Sequence, residues 1–441
     1  MSSTGQQRAG AREPNVDAGS VAQQLPLIAL VVFIFFAWGF TTVLVDSLVP
    51  KLRGLFALSY TEVMLTQFTY FLAYLFFSIP AGLVLSRTGY MRSTALGLVV
   101  TVSGCLLFAP AAAIGSYPAF LFALFIIATG ITLLQVVANP LIAGLGPDAT
   151  SSSRLTLAQA FNSLGTTIGP WIGAAFIIGN GVALNTAGLA PAALDRLRRN
   201  EAHAVQLPFL AIAAVLVVVA AVFWTYRNAR MPPVSPQAAS LREVARLLHR
   251  PRLMLGTLAI FLYVGAEVSI GSVMTNYLMQ PSVLGLPAAR AGQHVSFYWG
   301  GAMIGRFIGA FVLRRARPGY ALAACAVVAG LLATASSLST GVVAAYALIA
   351  VGLFNSIMFP TIFALASEGL GEETPNGSAM LCMAIVGGAI MPVITGAVAD
   401  ARGLAIALFV PVLCYVWVAI YGVLVAKGLG VTGWRAQDAQ T

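Results

Sequence analysis

Charge is what this sequence has least of. Only 9% of its 441 residues are Asp, Glu, Lys or Arg, where soluble domains carry about a quarter. Hydrophobic residues make up 59%, and the mean hydropathy is +0.89, so no water-soluble core of this length fits. No phosphate-binding glycine loop lies between a strand and a helix. The three histidines, His203, His249 and His294, lie far apart in or near loops, and no metal set is visible. No Ser/His/Asp order fits within the apolar runs, so the chain reads as a non-enzyme. Cys105, Cys325, Cys382 and Cys414 all sit inside apolar segments, without disulfide or metal spacing. The net charge of +10 does not make a nucleic-acid groove. Lys and Arg stand singly or in short groups at the ends of apolar runs, which is topological charge.

What is present is a series of apolar runs, rich in the Gly and Pro that membrane helices tolerate. At roughly 20 residues per crossing, twelve spans are predicted: 26–50, 60–86, 93–114, 119–145, 154–180, 206–226, 253–280, 292–314, 319–339, 342–367, 376–398 and 403–426. Residues 1–25 are polar and carry no short apolar run with a cleavage site, so the first span is expected to be retained. The predicted organisation is a disordered N-terminus (1–25), a six-helix bundle (26–226), a linker (227–252), a second bundle (253–426) and a tail (427–441). The linker ends in LREVARLLHR (241–250), whose apolar and basic residues recur at helical spacing, as in an interfacial amphipathic helix. With the N-terminus inside, sixteen of the 24 Lys and Arg fall on the cytoplasmic side and seven outside, leaving Arg306 within a span. That imbalance predicts both termini inside.

Three landmarks repeat in order at nearly one offset. Asp46 matches Glu267 (221 residues), Gly130…Asn139-Pro140 matches Gly352…Phe359-Pro360 (near 220), and Gly165…Pro170 matches Gly387…Pro392 (222). Repeated six-helix halves place a solute site at their interface, near the bilayer midplane.

The costliest residues are the acids within spans. A carboxylate in hydrocarbon costs about 2.5 kcal/mol or more and persists where it is paired, hydrated or functional. Asp46, towards the outer end of span 1, and Glu267, in the middle of span 7, are therefore the candidate proton-coupling residues. The bland alternative is a structural acid paired with a neighbouring helix, and it weighs more for Asp46. Arg306, in the cytoplasmic third of span 8, is expected to snorkel to the inner interface or touch an inner gate. Mid-span amides and aromatics suit a sugar, which needs neutral donors and acceptors and flat apolar faces. The candidates are Trp38, Gln135, Asn139, Gln159, Asn162, Asn276, Trp299 and Asn355. Single amides also glue helices together. Gln159 and Asn162 share one helix face, which favours a lined cavity. Asn139 precedes Pro140 and is an alternative partner for backbone freed by that proline.

The stretches LFIIATGITLLQVVANP (124–140), SRLTLAQAFNSLG (153–165), YVGAEVSIGS (263–272), YWGGAMIGRFIG (298–309) and FPTIFALA (359–366) resemble the fucose/proton symporter family of the major facilitator superfamily, closest to its glucose/galactose branch. The resemblance runs from about residue 30 to 425. It implies an all-α membrane protein of the major facilitator fold, with twelve transmembrane helices in two six-helix bundles. The implied function is proton-coupled hexose import by alternating access in a bacterial-type inner membrane. In the fucose member an Asp in span 1 and a Glu in span 4 are the protonatable pair. Asp46 matches the first, but Gln135 stands at the second, and the fucose member has Gln where this chain has Glu267. Gln159 and Asn162 match family positions that contact sugar. The loop 2–3 signature, Gly82…Ser86-Arg87-Thr-Gly89…Arg92, has Ser where Asp is usual. The expected partners are a small-molecule sugar and membrane lipid, with no nucleic acid, no cofactor and a monomeric state. The expected co-transported ion is a proton, with sodium-coupled or uncoupled sugar transport as the alternatives. Rival readings are fucose or N-acetylglucosamine as substrate, and a drug/proton antiporter, which the amide set disfavours.

Overall fold

The computed structural model describes residues 28–42, 60–114, 116–145, 147–173, 191–228, 247 and 249–429. Asp46 and nearly all of the linker, including most of its amphipathic segment, lie outside them. Helix occurs within each of the twelve predicted segments. In chain order these are α1 (Ile28–Thr42), α2 and α3 within Tyr60–Ile114, α4 (Tyr117–Gly144), α5 (Ser151–Gly173), α6 (Pro191–Thr225), α7 (Pro251–Met279), α8 (Ala288–Val312), α9 (Pro318–Leu338), α10 (Gly341–Ser367), α11 (Gly371–Arg402) and α12 (Leu404–Ala426).

The run Tyr60–Ile114 is helical throughout except at Gly89, whose φ of 76° and ψ of 172° break it. A single helix over the 44 residues Phe68–Ala111 would reach about 66 Å, twice the hydrocarbon thickness. Gly89 is thus the turn that folds one apolar run into two crossings, in a backbone region that L side chains avoid. α6 begins earlier than its apolar pattern. Its helix starts at Pro191, in the stretch 181–205 between the fifth and sixth predicted spans, while its apolar part is Phe209–Thr225. α5 is the least apolar of the long helices and does not reach membrane-span hydropathy. Gln159, Asn162 and its Ser and Thr residues are the reason.

Proline shapes two spans at repeat-related positions. Pro140 lies inside α4, and Pro360 follows a break in α10 at Ser356 and Ile357. A proline at position i leaves the carbonyl of i−4 without its helical donor. In hydrocarbon such a group must be satisfied from within the protein. Both freed carbonyls are: Ser378 of α11 donates its hydroxyl to Val136 C=O at 2.7 Å, and Arg306 Nε donates to Ser356 C=O at 3.2 Å. Asn139 does not take the carbonyl freed by Pro140.

The repeat is visible in the packing. A Cβ on Gly165 would lie 2.8 Å from the Phe40 backbone nitrogen of α1, and one on Gly387 would lie 2.7 Å from the Phe261 backbone carbon of α7. The first and fifth helices of each half thus touch backbone to backbone at matching glycines. The third landmark differs. Gly130 packs on Gly97 and Thr101 of α3, and Gly352 on Tyr298 of α8.

The halves meet along α5 against α8, and along α2 and α4 against α11. Ser153 Oγ donates to Ala310 C=O at 2.5 Å, and Gly82 sits against Pro375 and Ala379. These contacts lie at the end of the bundle that carries the Gly89 turn and the start of α7, called the linker end below. At that end Arg154 folds over the C-terminus of α4, donating to Ile142, Ala143 and Pro147 carbonyls, which a helix leaves without donors. Arg250 pairs with Glu373 at 2.6 Å, and Arg252 with Glu368.

Substituting Gly165→Val forces α5 away from α1. It is expected to cost about 1–3 kcal/mol and to lower the midpoint of thermal unfolding in detergent by several degrees, followed by size-exclusion chromatography after heating. Gly144→Ala, where a Cβ meets nothing within 4 Å, serves as the control and should leave the midpoint in place.

Candidate functional site

Glu267 projects from the middle of α7, and its side chain is only 13% exposed. Its Oε1 lies 3.9 Å from Arg306 Nη2 of α8 and has no hydrogen bond among the described residues. Tyrosines and one amide complete its surroundings. Tyr263, one turn earlier on α7, lies beside the carboxyl and donates its hydroxyl to Asn355 C=O at 3.0 Å. Asn355 Nδ2 donates to the Tyr298 hydroxyl at 2.7 Å, and that hydroxyl reaches Glu267 C=O at 3.4 Å. Tyr415 of α12 faces the same group. The indole of Trp299 lies across Gly271, one turn beyond Glu267, with the Tyr298 ring edge-on at 5.0 Å. Trp299 is 38% exposed, so its ring is not enclosed by the protein.

Arg306 does not snorkel. Its side chain is 11% exposed, because every arm of the guanidinium has a partner at this depth. Nε holds Ser356 C=O, Nη2 faces Glu267, and Nη1 donates to Ser163 Oγ on α5 in the other half. Of the two expectations for Arg306, the carbonyl that Pro360 frees and the carboxylate of Glu267 hold it away from the rim, while the Ser163 contact across the seam agrees with the other, an inner gate contact. Neither the carbonyl nor the carboxylate is apparent from the local sequence around Arg306.

A second polar group lies in the N-terminal half. Gln135 Nε2 donates to the Tyr74 hydroxyl at 2.6 Å, Tyr74 meets Tyr70 at 3.5 Å, and Tyr70 meets Thr42 Oγ1 at 3.0 Å. This ladder runs from α4 through α2 to α1. Gln159 Nε2 lies 3.5 Å from Asn139 Oδ1. Asn139 is fully buried, and its Nδ2 has no hydrogen-bond partner among the described residues. Cys382 of α11 sits between Asn139 and Tyr74. Asn162 Nδ2 donates to Phe35 C=O at 2.9 Å, so in this conformation it binds α5 to α1. Trp38 is 5% exposed and packs on Phe35 at 4.3 Å between centroids, leaving its face covered.

The structure therefore gathers Glu267, Trp299 and Asn355 into one site and Gln135, Asn139, Gln159 and Asn162 into another. Between them lies the seam that Arg306 crosses. Asn276 joins neither. It is exposed, and nine residues from Glu267 is two and a half turns, which puts it on the opposite face of α7. The residues that sequence reasoning missed are Tyr70, Tyr74, Tyr263, Tyr298 and Tyr415. The available signal was their depth: a mid-span tyrosine, unlike phenylalanine, brings a hydroxyl that needs a partner.

Two helical halves of matching internal packing, joined at one end by a linker and meeting at a polar, part-buried seam, define the scaffold of a secondary transporter. The family model of the Major Facilitator Superfamily matches residues 27–392, and the chain belongs to that superfamily. A glucose/galactose transporter of Brucella abortus is 46% identical over 394 residues, 89% of this chain and 92% of the relative. An L-fucose-proton symporter of Escherichia coli is 32% identical over 432 residues, 96% and 98% of the two chains. The crystal structure of the superfamily transporter FucP in the outward conformation superposes with a TM-score of 0.82 at 31% identity, covering 90% of this chain and 98% of that one. The chain is a multi-pass integral protein of the bacterial-type inner membrane.

Replacing Ser378 with Ala leaves the Val136 carbonyl without its donor. Interhelical hydrogen bonds in membranes are worth about 0.6 kcal/mol on average and up to about 1.7. The upper part of that range is expected here because the proline prevents the helix from recapturing the group. Chemical denaturation in mixed micelles reads the loss, and Ser378→Thr should restore most of it.

Proposed function

We propose that this protein imports a hexose of the glucose/galactose type together with a proton, by alternating access about the seam between residues 26–226 and 253–426. The linker end and both termini are cytoplasmic in this reading, in keeping with the Lys and Arg imbalance. The work done is translocation rather than bond-making chemistry. The observation that carries the ion-coupling part is Glu267 itself: a part-buried carboxylate against the seam, with one oxygen that makes no hydrogen bond among the described residues. A carboxyl so placed can take a proton when its cavity is open to one side and give it up when open to the other. Asp46 is the second proton site on sequence grounds. The sugar is assigned to the space between the two polar groups, with Trp299 supplying a stacking face and Gln135, Gln159, Asn162 and Asn355 supplying neutral hydrogen-bonding groups once the helices part. The similarity to a glucose/galactose transporter over 92% of its length supports the hexose class. The similarity to an L-fucose-proton symporter supports the proton.

The test is uptake into proteoliposomes. One pH unit is worth 1.36 kcal/mol per proton, so an inward gradient of that size is expected to drive up to about tenfold accumulation of glucose or galactose. Competition by fucose and N-acetylglucosamine at two pH values assigns the sugar. Accumulation that ignores the proton gradient and follows sodium would remove the proton from the mechanism. Glu267→Gln is expected to abolish accumulation while counterflow exchange continues. Accumulation at the parent level in that variant would remove Glu267.

A further inference from the structure

Arg306 is the only described residue shown reaching, through one side chain, the acid, a proline-freed carbonyl and the opposite half. We propose that it is a positioning residue that couples the charge of Glu267 to closure of the linker-end seam. The proposal rests on the symport reading for its use, but its geometry stands apart from the identity of the sugar.

The balance of charges sets the direction. Guanidinium and carboxylate form a part-buried pair with no net charge, with side chains 11% and 13% exposed. The other two partners of Arg306, Ser356 C=O and Ser163 Oγ, are neutral oxygens. An arginine does not deprotonate in a protein. When Glu267 takes a proton, the guanidinium keeps its charge and loses the anion that balanced it, and a part-buried cation without a counter-ion is strongly unfavourable. Water is then its best partner. The Ser356 bond lies within the C-terminal half, so of the partners of Arg306 only Ser163 is lost when α8 separates from α5 and water enters from the linker end. Ionised Glu267 thus favours a closed linker end, and protonated Glu267 favours an open one. A proton loaded from the far side while the linker end is closed then biases the protein towards opening inward, the order that an importer needs.

The other titratable groups around Glu267 do not carry this switch. Tyr263 faces it from α7, Tyr298 from α8 and Tyr415 from α12; α10 contributes the neutral Asn355. Where α11 packs on α7 it offers Gly387 and Met391, which do not titrate. Phenols are neutral through the range in which the symporter works. Among the described residues no second carboxylate faces the pair.

The experiment measures opening directly. Nitroxide labels on Arg87→Cys and Glu372→Cys, both exposed at the linker end in opposite halves, report the separation by pulsed electron resonance in nanodiscs at pH 8 and pH 5.5. The unlabelled-site parent controls for the native cysteines. In the double-Cys protein the long-distance population should grow at low pH. Adding Glu267→Gln should raise that population at pH 8 by about fivefold or more, the low end of site-to-site coupling, and remove its dependence on pH. Ser163→Ala, a mild change, should raise it at pH 8 while leaving a residual pH response. Arg306→Gln should flatten the response to pH. The proposal is overturned by a short-distance population in Glu267→Gln equal to the parent's at pH 8, by a Ser163→Ala distribution identical to the parent's, or by a parent that does not respond to pH. Glucose or galactose counterflow, measured on the same preparations, separates the two readings. Loss of sugar exchange in the parent with the distance shifts intact refutes the hexose and leaves the arm standing.

Discussion

In hydrocarbon a backbone carbonyl without its helical donor must find another within the protein. Much of the seam follows from two such carbonyls. Pro140 frees Val136 C=O and Pro360 frees Ser356 C=O, at corresponding positions of the two halves. The first is taken by Ser378 from the opposite half and helps to dock α11 on α4. The second is taken by Arg306, which holds the guanidinium beside Glu267 and within reach of Ser163. A straight, fully bonded α10 would offer Arg306 no carbonyl at that depth, and the long side chain would do better reaching for the membrane surface.

Electrostatics then acts on a scaffold that packing has already set. Gly165 and Gly387 bring the fifth helix of each half onto the first, backbone to backbone. That closeness makes each half a unit, and the Ser153–Ala310 and Gly82–Pro375 contacts tie the units at one end. The polar groups gather around this closed end.

The helical segments, the matching glycine contacts of the repeat and the part-buried position of Glu267 were legible in the sequence because each rests on a local signal: apolar length, glycine and proline spacing, and a charge where charge is costly. Arg306 was legible as an anomaly but not in its role, since its partners come from α5, α7 and α10 and no local pattern joins them. Gln159 and Asn162 share a face as their spacing implies. That face, however, is turned to Asn139 and to the α1 backbone, so the amides act as glue in this conformation. Asn276 reads as mid-span polar and lies on the far side of α7. The tyrosines escaped because their hydroxyls weigh little in any count of apolar residues, although in the folded chain they form most of the hydrogen bonds around both polar groups.

The paired prolines also bear on how such a protein could arise from a doubled ancestor. Duplication supplies the same notch twice, and a notch of this kind is indifferent to what fills it: a serine hydroxyl from outside the half serves, and so does a guanidinium from within. Occupants of different chemistry can therefore sit at matching positions. In this chain one notch holds a fastener between the halves and the other lodges a cation, so halves that share a proline differ in what that proline organises.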